Sequence, residues 1–321
     1  MKYYSYFPGC SSSEGTAVAY GRSTEAICAP LEMELIELED WNCCGTTPYS
    51  ATDELGSVAV ATRNLALAEK AGLDLVTPCS ACYTSLNRAN SLFSQYSDLA
   101  DKVNECLASV GLEYKGTVKV RHLFEVIYND IGLTVIEPKV VNPLSGLKVA
   151  AYYGCQLVRP EPGFDNTHNP QSIDEFIVSL GAESTPFPLK DRCCGSSLVI
   201  PEVDIALGLI HKLIESAASN GAQCMVAVCP LCQTNLDAYQ AMANSKFGTR
   251  YNLPVLFFTQ LLGLALGVIP KALALDKNIV SADRVLARFI SKSMAEAPST
   301  ARSAIERESR LRTEALLKGR E

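Results

Sequence analysis

The sequence lacks an excess of basic residues. Its 28 lysines and arginines stand against 35 aspartates and glutamates, which gives a formal net charge of −7 at pH 7. Proteins that bind nucleic acid need basic surfaces to neutralise phosphates. The charge balance therefore argues against nucleic acid as a partner.

Long apolar runs are also missing. The longest, residues 255–269, covers 15 positions and contains Thr259 and Gln260, whereas a membrane-spanning helix needs about 20 apolar residues. This run predicts a buried helix and no membrane span. The N-terminal segment MKYYSYFPGC lacks the apolar core and cleavage site of a signal peptide. We therefore expect a soluble, cytoplasmic protein.

Two kinds of redox motif are absent. The chain has no glycine-rich flavin or nicotinamide fingerprint and no C-x2-C-x2-C-x3-C-P run of the ferredoxin type. Electrons that this chain uses or passes on would therefore come from partner proteins. Thirteen cysteines are present, and in a reducing compartment such a number favours metal ligation over structural disulfides.

One cysteine pattern occurs twice. The first copy consists of Cys10, Cys43, Cys44 with Gly45, Cys79 and Cys82. The second copy consists of Cys155, Cys193, Cys194 with Gly195, Cys229 and Cys232. In each copy 35 positions separate the second cysteine of the pair from the first of the C-x-x-C. Each of the last four cysteines of the second copy lies 150 positions after its counterpart in the first copy. The repeat indicates an internal duplication that builds one thiolate-rich site twice.

The segments between the cysteines alternate between strand and helix patterns. Strands are predicted at residues 2–7, 34–38, 74–77, 148–153 and 225–228, and helices around residues 55–65, 172–180 and 203–214. This order predicts an α/β fold with mainly parallel sheets. We predict a first domain at 1–142, a second at 143–272 and a C-terminal helical extension at 273–321. That extension is interpreted either as a solvated tail or as a helix that docks a partner.

Position and number of the cysteines then indicate the chemistry. Cys10, Cys79, Cys155 and Cys229 each follow a predicted strand, and sites in α/β sheets form beyond the carboxyl ends of strands. A structural zinc and a cubane [4Fe–4S] cluster each take four ligands, but each copy here offers five sulfurs. Soft thiolates in that number favour an iron–sulfur cluster over zinc. The glycine of each Cys-Cys-Gly is expected to let the backbone approach the inorganic centre.

These motifs resemble the CCG-domain family, and within it most closely the B subunit of heterodisulfide reductase. The resemblance covers roughly residues 1–270. In the first half it is carried by YFPGC at 6–10, ELIELEDWNCCG at 34–45 and TPCSACYTSL at 77–86. In the second half it is carried by YYGCQLVRP at 152–160, FPLKDRCCGSS at 187–197 and CPLCQTNLDAYQ at 229–240.

The resemblance implies two noncubane [4Fe–4S] clusters, one on each five-cysteine set. It further implies two tandem domains related by a pseudo-twofold axis, with a disulfide bound between the clusters. The expected reaction is reductive cleavage of the coenzyme M–coenzyme B heterodisulfide or an analogous substrate. The expected partners resemble the other components of that enzyme, namely a ferredoxin-type iron–sulfur protein (its C subunit) and a flavoprotein (its A subunit).

Two other functions stay open. CCG proteins of lactate, glycolate, glycerol-3-phosphate and succinate:quinone complexes share the same motifs, and there the chain would relay electrons. A zinc-stabilised scaffold without redox activity is the third hypothesis. Metal analysis and a disulfide turnover assay separate the three.

Several residues outside the repeat have simpler interpretations. Core packing is predicted for Cys28, Cys106 and Cys224, and structural roles for His122 and His211. His168, in the loop 162–170, is a candidate proton donor to a departing thiolate at the substrate entrance. Lys190 and Arg192 precede the second Cys-Cys pair, where they either neutralise anionic groups or lie in a solvated loop. Trp41 is expected to shield the first site.

Overall fold

Two parallel sheets of four strands each form the framework of the protein. This computed structural model describes residues 1–13, 15–46, 48–159 and 163–296. The first sheet has the order β2-β1-β3-β4, with β1 to β4 at Lys2–Tyr6, Met33–Glu37, Leu75–Thr77 and Val120–His122. The second has the order β6-β5-β7-β8, with β5 to β8 at Lys148–Tyr152, Glu183–Thr185, Cys224–Ala227 and Val255–Phe257. The prediction of tandem α/β domains with parallel sheets is confirmed.

Helices connect the strands and cover the sheets. In the first half, α1 to α8 span Cys10–Ser13, Val18–Cys28, Pro48–Thr52, Glu54–Ala71, Ser80–Gln95, Ser97–Ala108, Leu123–Glu125 and Leu133–Ile136. In the second half, α9 to α14 span Ser172–Ser179, Val203–Ser219, Pro230–Ala238, Gln240–Phe247, Phe258–Ala265 and Asp283–Glu296. The long helices α4 and α10 end in glycine turns as predicted, since Gly72 and Gly221 both have positive φ.

The strand order determines where a site can form. In each sheet the chain moves outward from the central strand in one direction and then in the other, so the order reverses between β1 and β3 and between β5 and β7. Ligands bind in the crevice that opens at the carboxyl ends of strands at such a reversal. The first cysteine and the C-x-x-C of each copy follow these neighbouring strands, so the topology brings them together.

The two lobes share one hydrophobic core. Helix α2 of the first lobe packs on α13 of the second. Between them, the ring of Tyr20 stacks on Phe257 with centroids 4.2 Å apart, and the Ser23 and Thr259 hydroxyls lie 2.6 Å apart. These contacts fix the relative position of the lobes and therefore of their cysteines.

The apolar run at 255–269 was predicted as one helix, and this is wrong. The structure divides it into β8, which pairs with β7, and α13, which begins at Phe258. The Gln260 side-chain oxygen accepts a hydrogen bond from the Phe257 backbone N–H at 3.0 Å, which caps the new helix. A strand buried on both faces has no polar alternation, so periodicity could not distinguish it from a helix.

The extension that begins at residue 273 is not a free tail over its first part. Leu286 and Phe289 of α14 are buried in the shared core, and the Asn142 amide donates to the Phe289 carbonyl at 3.1 Å. Residues 297–321 lie outside the described part of the chain. Within the described ranges, no helix combines the length and the apolar character that crossing a membrane requires.

Candidate metal centre

The first five-cysteine set lines a single cavity. This cavity has a volume of about 160 Å³ and lies at the carboxyl ends of β1 and β3. Its wall contains all five predicted ligands, Cys10, Cys43, Cys44, Cys79 and Cys82. The predicted convergence of these residues is therefore met in the structure, although which atoms they bind remains a prediction.

The second set is linked by contacts between its sulfurs. Cys193 lies in hydrogen-bonding contact with both Cys155 and Cys194. The Cys194 and Cys232 sulfurs are 3.5 Å apart, as the equivalent Cys44 and Cys82 sulfurs are 3.3 Å apart in the first set. All thirteen cysteines lie in the described ranges and are unpaired thiols, so both sets present sulfurs that can bind a metal.

Each set has a buried inner part and an accessible outer part. Cys10, Cys43 and Cys193 are exposed, and Cys155 and Cys232 are half-buried. The buried members are Cys44, Cys79, Cys82, Cys194 and Cys229. In both lobes the first cysteine of the adjacent pair is exposed and the second is buried. A bound group would thus be held by its inner side and approached from its outer side.

The two sets touch across the lobe interface. Cys229 belongs to the cluster of buried residues that contains Cys79 and Cys82, and its sulfur interacts with the Cys79 sulfur and the Ala81 backbone N–H. Pro230 and Leu231, from the second C-x-x-C, complete the wall of the first cavity. The second lobe therefore contributes to the site of the first, and the two sites form one centre.

Crowding among the sulfurs separates their pKa values. Contacts with the Cys43 and Cys82 sulfurs lower the pKa of Cys44 to about 4, and the contact with Cys44 together with burial raises the pKa of Cys43. Likewise contacts with the Cys232 and Cys79 sulfurs lower the pKa of Cys229. Metal binding needs every ligand as a thiolate. Five adjacent thiolates require a strongly cationic body among them.

The donor set fits an iron–sulfur group. Thiolates are the ligands that hold iron–sulfur clusters, and five of them surround one cavity here. Among the described residues, no three His, Cys, Asp or Glu side chains are arranged to hold a single metal ion. The five residues of each set are the ones that would hold a cluster.

Comparison with known proteins gives the family. The model of the family described as "Cysteine-rich domain" (CCG) matches residues 4–87 and again residues 149–237. The chain belongs to the CCG cysteine-rich domain family. The two matched segments contain the two five-cysteine sets, one in each lobe.

Several relatives resemble the chain over most of its length. It is 38% identical over 287 residues to the 8-methylmenaquinol:fumarate reductase membrane anchor subunit of Wolinella succinogenes, covering 89% of this chain and 99% of that protein. It is 34% identical over 273 residues to the B subunit of the ferredoxin/F420H2-dependent CoB-CoM heterodisulfide reductase of Methanosarcina acetivorans, covering 84% and 91%. These relatives are subunits of multisubunit reductases, so this CCG protein resembles the B subunit of heterodisulfide reductase, as predicted.

A solved structure shares the fold. A hypothetical protein from Helicobacter pylori matches 87% of this chain with a TM-score of 0.69 and 16% sequence identity. The chain spans about half, 52%, of that protein. At this identity the likeness concerns the tandem α/β architecture alone.

At Gly9 and Gly154, each directly before the first cysteine of its set, the missing side chain leaves room for a sulfur. A Cβ on Gly9 would lie 3.2 Å from the Cys82 sulfur, and one on Gly154 would lie 3.3 Å from the Cys232 sulfur. A Cβ on Gly45 or Gly195 would instead meet the following helix, α4 or α10. The Gly195 backbone N–H donates to the Cys193 sulfur at 3.3 Å, and the expectation that Gly45 and Gly195 let the backbone approach the inorganic centre stays a prediction.

Gly9→Ala is expected to impair both folding and metal loading. Gly9 has a φ of +71°, where an alanine costs about 1–2 kcal/mol, and the new methyl group would push against the Cys82 sulfur. We expect a lower melting temperature and a loss of bound iron from the first site. Differential scanning calorimetry and iron analysis measure the two effects.

Gly72→Ala is the matched control. Gly72 has nearly the same φ, +70°, but a Cβ there would meet nothing within 4 Å. It should lower the melting temperature by the backbone cost alone and leave the iron content unchanged. Equal iron in both variants would show that Gly9 does not make room for the sulfur.

The aromatic shield of the first site is present. Trp41 packs edge-on against Phe7 with centroids 5.4 Å apart, and both border the cluster of buried residues that contains Cys44, Cys79 and Cys82. At the position equivalent to Phe7, the second lobe has Tyr152. Its buried hydroxyl donates to the Arg192 carbonyl at 2.7 Å, directly before Cys193. The two sites thus differ in polarity on this side.

His122 is the histidine that the structure brings to the centre. It is fully buried, and its ring lies within hydrogen-bonding reach of the Pro78 and Val228 carbonyls, the residues directly before Cys79 and Cys229. Its Nδ1 accepts from the Phe124 N–H at 3.1 Å. Burial lowers the pKa of His122 to about 4. The structural role predicted for His122 is therefore to join the segment that leads to Cys79 with the segment that leads to Cys229.

The other candidates are exposed or paired with groups outside the two cysteine sets. His168 is exposed, and its backbone N–H donates to the Asn166 side chain at 2.9 Å. The Lys190 ammonium is paired with Asp174 at 3.0 Å. Arg192 is exposed.

The cysteines outside the repeat differ in their environment. Cys224 is buried and Cys28 is half-buried, in keeping with core packing. Cys106 is exposed on α6, so its predicted core role is wrong. Its helix has a narrow buried face, formed by Val103 and Leu107, that does not include this position.

Proposed function

We propose that this CCG protein is the iron–sulfur subunit of a heterodisulfide-reductase-like complex. In this proposal each five-cysteine set holds one noncubane [4Fe–4S] cluster, and a disulfide is cleaved reductively between them. The observation that carries the proposal is the contact of the two complete sets, since Cys229 of one set lies in the buried cluster that contains Cys79 of the other. A small molecule between two adjacent redox groups can receive one electron from each.

The reaction balances as a two-electron reduction. The S–S bond of the substrate breaks, two electrons and two protons are taken up, and two thiols leave. When bound, the clusters would supply the electrons singly. The residues of the chain would position the clusters and shield them from water. Cys44, Cys79, Cys82, Cys194 and Cys229 are buried, and the buried rings of Phe7 and Tyr152 would exclude water beside the two sets.

The outer sulfurs indicate how substrate and electrons reach the site. Cys10, Cys43 and Cys193 are exposed, so the accessible side of each set is the side where a substrate or a partner protein can approach. The electron donors in this proposal are a ferredoxin-type iron–sulfur protein and a flavoprotein, like the C and A subunits of heterodisulfide reductase. The complex would work in the cytoplasm, where thiols stay reduced.

The source of the protons is a further part of the proposal. His168 stays the candidate donor, because it is exposed in a loop that follows Cys155 in the chain. His122 is a poor candidate, because burial keeps it neutral and both of its ring nitrogens have protein neighbours.

A second function is favoured by one comparison. The relative of 38% identity, matched over 99% of its length, is named as the membrane anchor subunit of a fumarate reductase. In that case the two clusters of this chain would relay electrons between a dehydrogenase and a quinone-linked partner. No disulfide would be consumed.

A turnover assay separates the two functions. Protein prepared without oxygen is mixed with reduced methyl viologen and a series of low-molecular-weight disulfides, and dye oxidation is followed together with thiol formation. The disulfide-reductase proposal predicts two viologens oxidised and two thiols formed per disulfide. Clusters that are reduced and reoxidised while every disulfide stays intact would favour the relay.

A further inference from the structure

A second cavity lies beside the first cysteine site. We call it the side pocket. Its volume is about 240 Å³, which is room for roughly eight water molecules or a small organic group. It is lined by Thr46, Ser50, Ser57, Val58, Thr84, Ser85, Arg88, Ala89 and Gln156. Most of these side chains are hydroxyls or other polar groups, so the side pocket is suited to a polar ligand.

The side pocket adjoins the cysteine cavity. Thr46, two residues after Cys44, lines both cavities, and the Ser85 hydroxyl of the side pocket donates to the Cys44 carbonyl at 2.8 Å. A molecule with a sulfur among the cysteines would therefore extend its substituent into this space.

Gln156 contributes a buried side-chain oxygen that lacks a hydrogen-bond donor among the described residues. It comes from the second lobe, directly after Cys155, and the Thr84 hydroxyl donates to its backbone carbonyl at 3.1 Å. Its side-chain oxygen is buried and has no hydrogen-bond partner among the described residues. A buried acceptor left in this state costs about 1–3 kcal/mol. A ligand that carries an N–H or O–H donor would remove that cost.

Arg88 provides the cation of the side pocket. Its Nη2 contacts Glu54 at 2.6 Å, and both side chains are largely exposed, so this ion pair is weak. A guanidinium has five N–H donors arranged to bind a carboxylate, and one contact with Glu54 leaves capacity for a second anion.

The second lobe has apolar residues at three of the polar lining positions of the side pocket, including that of the cation. At the displacement of 150 positions that relates the cysteines, Ser50, Ser57 and Arg88 correspond to Ile200, Leu207 and Ala238. Ile200 is 90% exposed and Leu207 is buried. Thr46, Thr84 and Ser85 have polar equivalents, Ser196, Thr234 and Asn235. The two halves of the centre therefore differ chiefly in the cation, which only the first lobe has at this place.

We propose that the side pocket binds the anionic, hydrogen-bond-donating arm of a thiol or disulfide substrate, with its carboxylate at Arg88 and its N–H at Gln156. This inference rests on the proposed disulfide chemistry. It assigns the polar arm of the substrate to the first lobe, so that the protein would bind the two ends of a disulfide in different surroundings.

Thiol probes of matched length test the assignment. N-acetylcysteine carries a carboxylate and an amide N–H, and N-acetylcysteamine lacks only the carboxylate. Each is titrated into oxygen-free, cluster-loaded protein, and binding is followed by the change in the visible and electron paramagnetic resonance spectra. The wild-type protein should bind N-acetylcysteine about tenfold more tightly, the ratio that about 1.4 kcal/mol produces.

Variants then locate the preference. The equivalent second-lobe position holds an alanine, and Arg88→Ala should therefore abolish the tenfold ratio between the affinities for the two probes. Glu54→Gln should increase it, because the competing carboxylate is gone. Gln156→Met should weaken both probes equally. Arg250→Ala, an exposed arginine outside the side pocket, is the control and should keep the wild-type ratio.

Two results would overturn the proposal: equal affinity of the wild-type protein for both probes, or an unchanged ratio in Arg88→Ala. Failure of the disulfide chemistry would look different. The probes would still be distinguished through Arg88 while no disulfide is consumed in the viologen assay, and the side pocket would then stand as a ligand site. Turnover of disulfides without any preference between the probes would remove the side-pocket assignment alone.

Discussion

Cys82→Ser is expected to leave the protein with about four of the eight irons that two [4Fe–4S] clusters contain. Cys82 is buried, lies 3.3 Å from the Cys44 sulfur and lines the first cavity. A serine hydroxyl is a much weaker ligand for iron, because thiolates hold these clusters. Iron and acid-labile sulfide, measured per chain in protein prepared without oxygen, report the loss.

Three further variants make the result specific. Cys232→Ser, at the equivalent second-lobe position, should lose the other half of the iron, and the double variant should lose nearly all of it. Cys106→Ser should lose none, because Cys106 is exposed on α6 and outside both sets. A Cys82→Ser protein with its full iron content, or a Cys106→Ser protein that loses iron, would contradict the assignment of ligands.

Arg121→Met should lower the free energy of unfolding by about 3–5 kcal/mol, the usual effect of removing one partner from a buried ion pair. Arg121 is 7% exposed in its side chain. Its Nε donates to Glu125 at 3.0 Å, and its two terminal nitrogens donate to Asp130 at 2.6 and 2.8 Å. Methionine fills the space but leaves the buried Glu125 carboxylate without a cation. Urea unfolding followed by circular dichroism gives the value.

The effect should depend on pH. The hydrogen bonds from Arg121 hold the pKa of the Asp130 carboxyl below its ordinary value of 3.8. A carboxylate with a lowered pKa in the folded protein stabilises it above the unfolded pKa and loses that contribution as the pH falls through the folded value. The difference in the free energy of unfolding between wild type and Arg121→Met should therefore become smaller below about pH 4.

Lys246→Met is the comparison for this variant. Lys246 pairs with Asp204, whose side chain is 79% exposed, and such surface pairs contribute about 0–1 kcal/mol. A loss of several kcal/mol in Lys246→Met, or a loss below about 1 kcal/mol in Arg121→Met, would show that burial does not decide the strength of these pairs here.

The convergence of the cysteines could be predicted from sequence because strand and motif follow each other directly. Cys79 stands two residues after β3 and Cys229 two residues after β7. Any parallel sheet whose order reverses there must place such residues at one edge. The repeated spacing then required the second lobe to do the same.

The contacts between the lobes could not be predicted in this way. That Cys79 meets Cys229, that Gln156 enters the wall of a first-lobe pocket and that His122 joins two segments 150 positions apart all depend on how α2 packs on α13. Nothing in local periodicity reports a packing geometry between distant segments. The roles of the glycines could not be predicted either. Only the folded chain shows that a side chain at Gly9 would meet a sulfur, whereas one at Gly45 would meet a helix.

The most direct test is a crystal structure of protein purified and crystallised without oxygen, with data collected on both sides of the iron absorption edge. The proposal predicts two separate groups of four iron sites, one among Cys10, Cys43, Cys44, Cys79 and Cys82 and one among Cys155, Cys193, Cys194, Cys229 and Cys232. Anomalous signal at the zinc edge instead, a single group of irons, or cystines within either set would contradict it.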